Sequence, residues 1–242
     1  GTAAAADLPG GRRSDLGAAA DRRLVAWAEA QLPADAVLTA SPRVAAELVH
    51  AGADPAQVRS SADVPVGAAS GTAAVLRVTP GAAPDGSSVV ARFGELTVVD
   101  PRPAPPTPAQ VTARRDLAAA LLANPTTEVS PADAGVLAAG QVDPRLLSLL
   151  AGIGARYGLG VQRLPVVPGE PGDALVRQAV LGSIGGRPLA EDPAALDLLR
   201  SWLAAQREPY APDHVREVHG GLLVGYDLVP DPDGLLPRPG GR

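Results

Sequence analysis

Apolar residues run along this chain in short bursts, and six of them are introduced in the same way, by a residue with a side-chain oxygen followed by proline. These are Ser41-Pro42, Asp54-Pro55, Thr107-Pro108, Ser130-Pro131, Asp143-Pro144 and Asp192-Pro193. The oxygen accepts a free N–H of a first helical turn, and proline at the first helical position loses nothing because that N–H has no partner. Each pair therefore predicts a helix start, and Thr107 with Gln110 predicts a capping box. Residues 21–32 place Leu24, Ala28 and Leu32 on one helical face, residues 36–39 read as a short apolar strand, and residues 42–51 as a helix stopped by Gly52. With strands at 73–78, 88–93 and 96–99, the pattern predicts a small α/β layer containing one right-handed crossover.

Pro101, Pro103, Pro105 and Pro106 then interrupt the pattern, since prolines cannot join a sheet and favour an extended spacer. Beyond them, periodicity predicts helices at 108–123, 131–139 and 144–157, and strands near 160–167 and 175–184. A helix at 193–206 precedes a closing hairpin of 215–218 and 222–228, turned at Gly220-Gly221. The expected organisation is a flexible lead (1–17), a small Rossmann-like α/β half-domain (18–100), a proline-rich linker (101–107), an α+β domain (108–229) and a disordered tail (230–242). The length of 242 residues suits two units.

Composition narrows the chemistry. The chain has no cysteine, no methionine and no lysine; all 21 basic residues are arginine, and the aromatics are two Trp, three Tyr and Phe93. These absences follow codons rich in A and T, as expected of a GC-rich bacterial genome. Without cysteine there are no disulfides, zinc knuckles or thiol catalysis. A net charge of −5 with interspersed signs argues against a nucleic-acid footprint. No run approaches the ~18 apolar residues of a membrane helix, and the N-terminus lacks signal-peptide organisation. The chain as given is expected to be soluble, which leaves its compartment open.

Candidate reactive groups mostly have structural explanations. Gly182-Ser183-Ile184-Gly185-Gly186 leads into Arg187-Pro188 and reads as a turn, and Ser183 lies outside a nucleophile elbow. His214 and His219, with Asp213 and Glu217, could be weighed as metal ligands, but five residues apart on an extended segment the imidazoles point to opposite faces. A charged edge strand explains them better. His50 suits the C-terminal end of a helix. Glu191 and Asp192 open a helix, Asp231 and Asp233 fall in the tail, and Trp27 and Trp202 read as core anchors. No catalytic, cofactor or metal residue is assigned. Tyr210, in Glu208-Pro209-Tyr210-Ala211-Pro212 beside Arg207, reads as a rigid exposed aromatic next to a cation, so Tyr210, Arg207 and His214 are the candidate contact residues.

Two resemblances add to this. Trp27, the run from Gln31 to Leu38, residues 44–52 and Val89-Val90-Ala91-Arg92-Phe93-Gly94 resemble the soluble C-terminal region of bacterial protein-mannosyltransferase-like membrane glycosyltransferases, over residues 20–100. That resemblance implies a Rossmann-like half-domain on the outer face of a membrane. The family's catalytic carboxylates lie in its membrane part, so none carries over. Residues 143–203 look like a degenerate D-alanyl-D-alanine-peptidase-like fold, with Leu181 after Ala179-Val180 where that family places a zinc-ligating aspartate. The resemblance implies a fold retained without its metal.

The expectation is a non-catalytic, extracytoplasmic, envelope-associated module that takes no cofactor and recognises a glycan, a cell-wall component or a membrane-protein partner. The alternative is a glycan-acting hydrolase or transferase whose carboxylates and arginines meet only in three dimensions. A third reading is a structural module packed on its own membrane domain.

Overall fold

A computed structural model describes residues 10–61 and 74–237, and the chain is α/β in class. It divides into two compact units, one of residues Gly1–Pro103 with Pro168–Pro171, the other of Ala104–Val167 with Gly172–Arg242. Pro168–Pro171, which the sequence pattern assigned to the second domain, thus group with the first.

In the first unit, α1 (Gly10–Gln31) leads to β1 (Val37–Ala40), α2 (Pro42–His50), β2 (Val58–Ser60), β3 (Val75–Pro80), β4 (Ser88–Phe93) and β5 (Leu96–Asp100). The sheet order is β2-β1-β3-β5-β4. β1 runs parallel to both β2 and β3, while β5 is antiparallel to β3 and β4. Ser41 caps α2 as its sequence predicts. Asp54-Pro55 does not start a helix; the Asp54 carboxylate accepts the Ala56 N–H at 2.9 Å in a local turn. The short chain to β2, the strand that follows α2 in parallel with β1, leaves no room for helical turns. Residues 10–17 of the expected flexible lead are helical, in keeping with the alanines that follow and with Ala20, which is buried against Gly94. Residues 1–9 and Ala73, the first residue of one expected strand, lie outside the described residues.

The second unit contains α3 (Pro108–Ala123), β6 (Thr127–Glu128), α4 (Pro131–Ala138), α5 (Pro144–Tyr157), β7 (Leu159–Arg163), β8 (Gln178–Ile184), β9 (Arg187–Pro188), α6 (Pro193–Ala204), β10 (His214–Val218) and β11 (Gly221–Gly225). Thr107, Ser130, Asp143 and Asp192 cap the four helices, and Thr107 with Gln110 forms the full capping box. The strands are ordered β10-β11-β8-β7-β6, with β9 paired to β8. All pairings are antiparallel except β6 with β7. The hairpin turns at His219 and Gly220, since Gly221 already pairs with Val218. Gly220 has φ +83°, a region glycine enters without steric cost. Leu146, Leu150 and Ile153 of α5 and Leu199 and Leu203 of α6 join Leu181, Leu222 and Val224 of the sheet in one core.

The expected disordered tail is partly ordered. Asp233–Leu235 form a 3-10 turn, and the Asp233 carboxylate lies 3.2 Å from Arg114 Nε in a buried ion pair. Arg114 also donates to the Gly140 carbonyl at 2.9 Å. A buried guanidinium requires an opposite charge, and the tail supplies it. Residues 238–242 lie outside the described residues.

Candidate functional site

The segment between α6 and β10, residues 205–213, holds two of the three candidate contact residues, and β10 opens with the third. Its local shape comes from a turn in which the Arg207 carbonyl accepts the N–H groups of Tyr210 (2.8 Å) and Ala211 (3.1 Å). Glu208-Pro209 is a cis peptide bond. Arg207 is exposed, and Tyr210 and His214 are half-buried. The sequence predicts Tyr210 as a rigid exposed aromatic beside Arg207. Among the described residues the bond that joins the two is between their backbones, from the Tyr210 N–H to the Arg207 carbonyl.

What fixes the segment is a polar cluster beneath it. Asp143 caps α5 by accepting the Arg145 N–H at 2.9 Å, and the same carboxylate holds the Arg145 side chain through Nε at 3.0 Å and Nη2 at 2.8 Å. Their side chains are only 1% and 5% exposed. This two-pronged geometry is the strong form of an arginine–carboxylate pair. Burial alone would pull the Arg145 guanidinium down, but the hydrogen bond and charge of Asp143 outweigh it and the net shift is upward. Arg145 Nη2 also donates to the Asp227 carbonyl at 2.8 Å, and its guanidinium carbon lies 4.9 Å from the centre of the Tyr226 ring.

Tyr226 and Asp227 follow directly on β11 and carry this order outward. The Tyr226 hydroxyl donates to the Tyr210 carbonyl at 2.6 Å. Burial pushes that phenol well above its ordinary range, so it stays a donor. The Asp227 N–H donates to the Asp213 carboxylate at 2.8 Å, and the Asp227 carboxylate lies 2.6 Å from His214 Nε2. Burial raises the Asp227 carboxyl, with His214 pulling in the opposite direction. The segment is thus tied at its middle through Tyr210 and at its end through Asp213 and His214.

The other candidates fall elsewhere. Ser183 is in β8, and Gly185 and Gly186 form the turn to β9. Leu181 is fully buried in the core among apolar side chains. Glu217 pairs with Arg200 at 2.9 Å on the edge strand β10, His219 is an exposed turn residue, and Asp192 is held by Arg187 at 2.7 Å. That pairing, with the Ala195 N–H, lowers the Asp192 carboxyl. Trp27 is buried, and Trp202 packs against Gly152 at the core margin. Among the described residues, no group of three or more His, Asp or Glu side chains is arranged to hold a metal ion. No described helix is long and apolar enough to cross a membrane.

Sequence reasoning missed Arg145, Tyr226 and Asp227. Asp143 was legible as a cap, but its second role depends on a side chain two residues away and on a carbonyl 82 residues further on. Comparison of the chain with protein-family models, with curated proteins and with solved structures finds no match.

Proposed function

We propose that the chain is a non-catalytic, extracytoplasmic module associated with the cell envelope, which recognises a glycan, a cell-wall fragment or a membrane partner through the segment carrying Arg207, Tyr210 and His214. The observation that carries this reading is the Tyr226 hydroxyl bonded to the Tyr210 carbonyl. A contact segment already held in one conformation loses less entropy when it binds, and an aromatic beside polar groups suits a sugar or peptide face. The carboxylates and guanidinium beneath it are engaged in holding the segment. The envelope setting is supported by the two resemblances in the sequence.

The test is a binding screen of the full chain against envelope glycans and peptidoglycan fragments, with Tyr210→Ala as control. Binding weakened by the substitution supports the reading, and no binding above background by either protein rejects it. One observation favours the alternative of a glycan-acting enzyme: Asp227 has a raised carboxyl and a histidine at 2.6 Å, a pairing suited to proton transfer. Turnover of any screened glycan that Asp227→Asn abolishes would select it.

A further inference from the structure

In the first unit a short loop, Pro168–Pro171, lies against the edge of β4. Among the described residues β4 ends its sheet, and its outer edge has no strand neighbour. From that edge the Arg92 N–H donates to the Gly169 carbonyl at 2.8 Å. Gly169 has φ +93°, and a Cβ placed on it would lie 2.5 Å from a carbon of the Phe93 ring. No other residue could lie so flat on that ring. The next residue, Glu170, accepts the Trp27 indole N–H at 2.9 Å. Trp27 and Phe93 pack with ring centres 5.8 Å apart, and each is 5% exposed.

These are the two components of peptide recognition by strand addition: a main-chain bond at a sheet edge, and side-chain sites that read the sequence. Here the reading is specific. The ring face admits only glycine, and the indole N–H favours a carboxylate at the following position, a charge-assisted bond. Pro168 and Pro171 flank the pair and restrict its backbone, which lowers the ordering cost.

We propose that Trp27, Phe93 and the β4 edge form a recognition slot for an extended Gly-Glu segment, filled in cis by Pro168–Pro171, and that release of this strap opens the slot to a Gly-Glu-Pro segment of a partner protein. While the strap is bound, its high effective concentration keeps an external peptide out. The apparent affinity for that peptide scales with the fraction of molecules whose slot is open.

The experiment uses the full chain and a fluorescent peptide of sequence Val-Val-Pro-Gly-Glu-Pro-Gly-Asp, that of residues 166–173. The double variant Gly169→Val/Glu170→Gln binds it about tenfold or more tighter than the unsubstituted chain. A peptide with glutamine in place of glutamate, or the further substitution Trp27→Phe, reduces that gain. Tyr210→Ala leaves it unchanged, which separates this site from the proposed binding segment. Equal affinity in the unsubstituted chain and the double variant, or no measurable binding by a folded variant, overturns the proposal. If circular dichroism shows the double variant unfolded, Glu170→Gln alone is used, with a smaller gain expected and no gain overturning the proposal.

Discussion

Two segments without regular secondary structure are held in this molecule by opposite means. Residues 207–213 are tied by polar groups that their own unit buries, a tyrosine hydroxyl and a main-chain N–H braced by an arginine–carboxylate pair. Pro168–Pro171 are held by the Arg92 N–H bonded to the Gly169 carbonyl, by a glycine lying on an aromatic ring and by the Trp27 indole bonded to the Glu170 carboxylate. The first arrangement belongs to the fold, because its supports are core groups that cannot be left unpaired. The second lies along a sheet edge, and its exchange is the proposal made above. The proposed binding segment and the proposed strap are therefore held by different chemistry around the same kind of backbone.

The largest effect expected from breaking this contrast is that of Arg145→Ala, which leaves the Asp143 carboxylate buried without its partner. It costs about 3–5 kcal/mol, read as a lowered urea midpoint; a loss near zero would mean that the pair does not brace the segment. Tyr226→Phe removes only the hydroxyl and costs about 1 kcal/mol, with faster amide hydrogen exchange at Tyr210 and Ala211. Unchanged exchange there would place the anchor elsewhere. In the strap, Glu170→Gln keeps an acceptor but loses its charge and costs about 0.5 kcal/mol, with faster exchange at the Arg92 amide as its signature.

The smallest effect is one of pH. Burial raises the Asp227 carboxyl against the pull of His214, and raises Asp233 against that of Arg114. A folded-state pKa above the unfolded value means that the native form keeps protons the unfolded chain releases. The contribution of these two carboxyls is therefore fully present below the ordinary carboxylate range and is lost as pH rises through the raised values. Asp227→Asn should flatten part of that decline in urea titrations from about pH 4 upward. A slope unchanged by the substitution would remove Asp227 from the account.

Much of the fold was readable because capping is local. Five of the six oxygen-and-proline pairs open helices, since side chain and recipient N–H lie within one turn. Asp54-Pro55 made the same local bond but met a strand too soon. Residues 10–17 and the turn at Asp233 were hidden for another reason. The helical lead lacks apolar periodicity, and Asp233 is ordered by Arg114, a partner remote in sequence. The candidate site follows the same division. Tyr210, Arg207 and His214 stood out in a proline-rich stretch, whereas Tyr226, Asp227 and Arg145 looked like a strand end and a helix start. Their roles arise from bonds between residues that no periodicity links.

The central claim is that the segment fixed by Tyr226 is a binding surface. Its most direct test is calorimetric titration of a peptidoglycan fragment or envelope glycan, chosen from the screen, into the unsubstituted chain, Tyr210→Ala and Tyr226→Phe. Affinity should fall about tenfold or more for Tyr210→Ala and by a smaller factor for Tyr226→Phe, which keeps the contact ring but loosens its support. Equal affinity in all three proteins would contradict the claim.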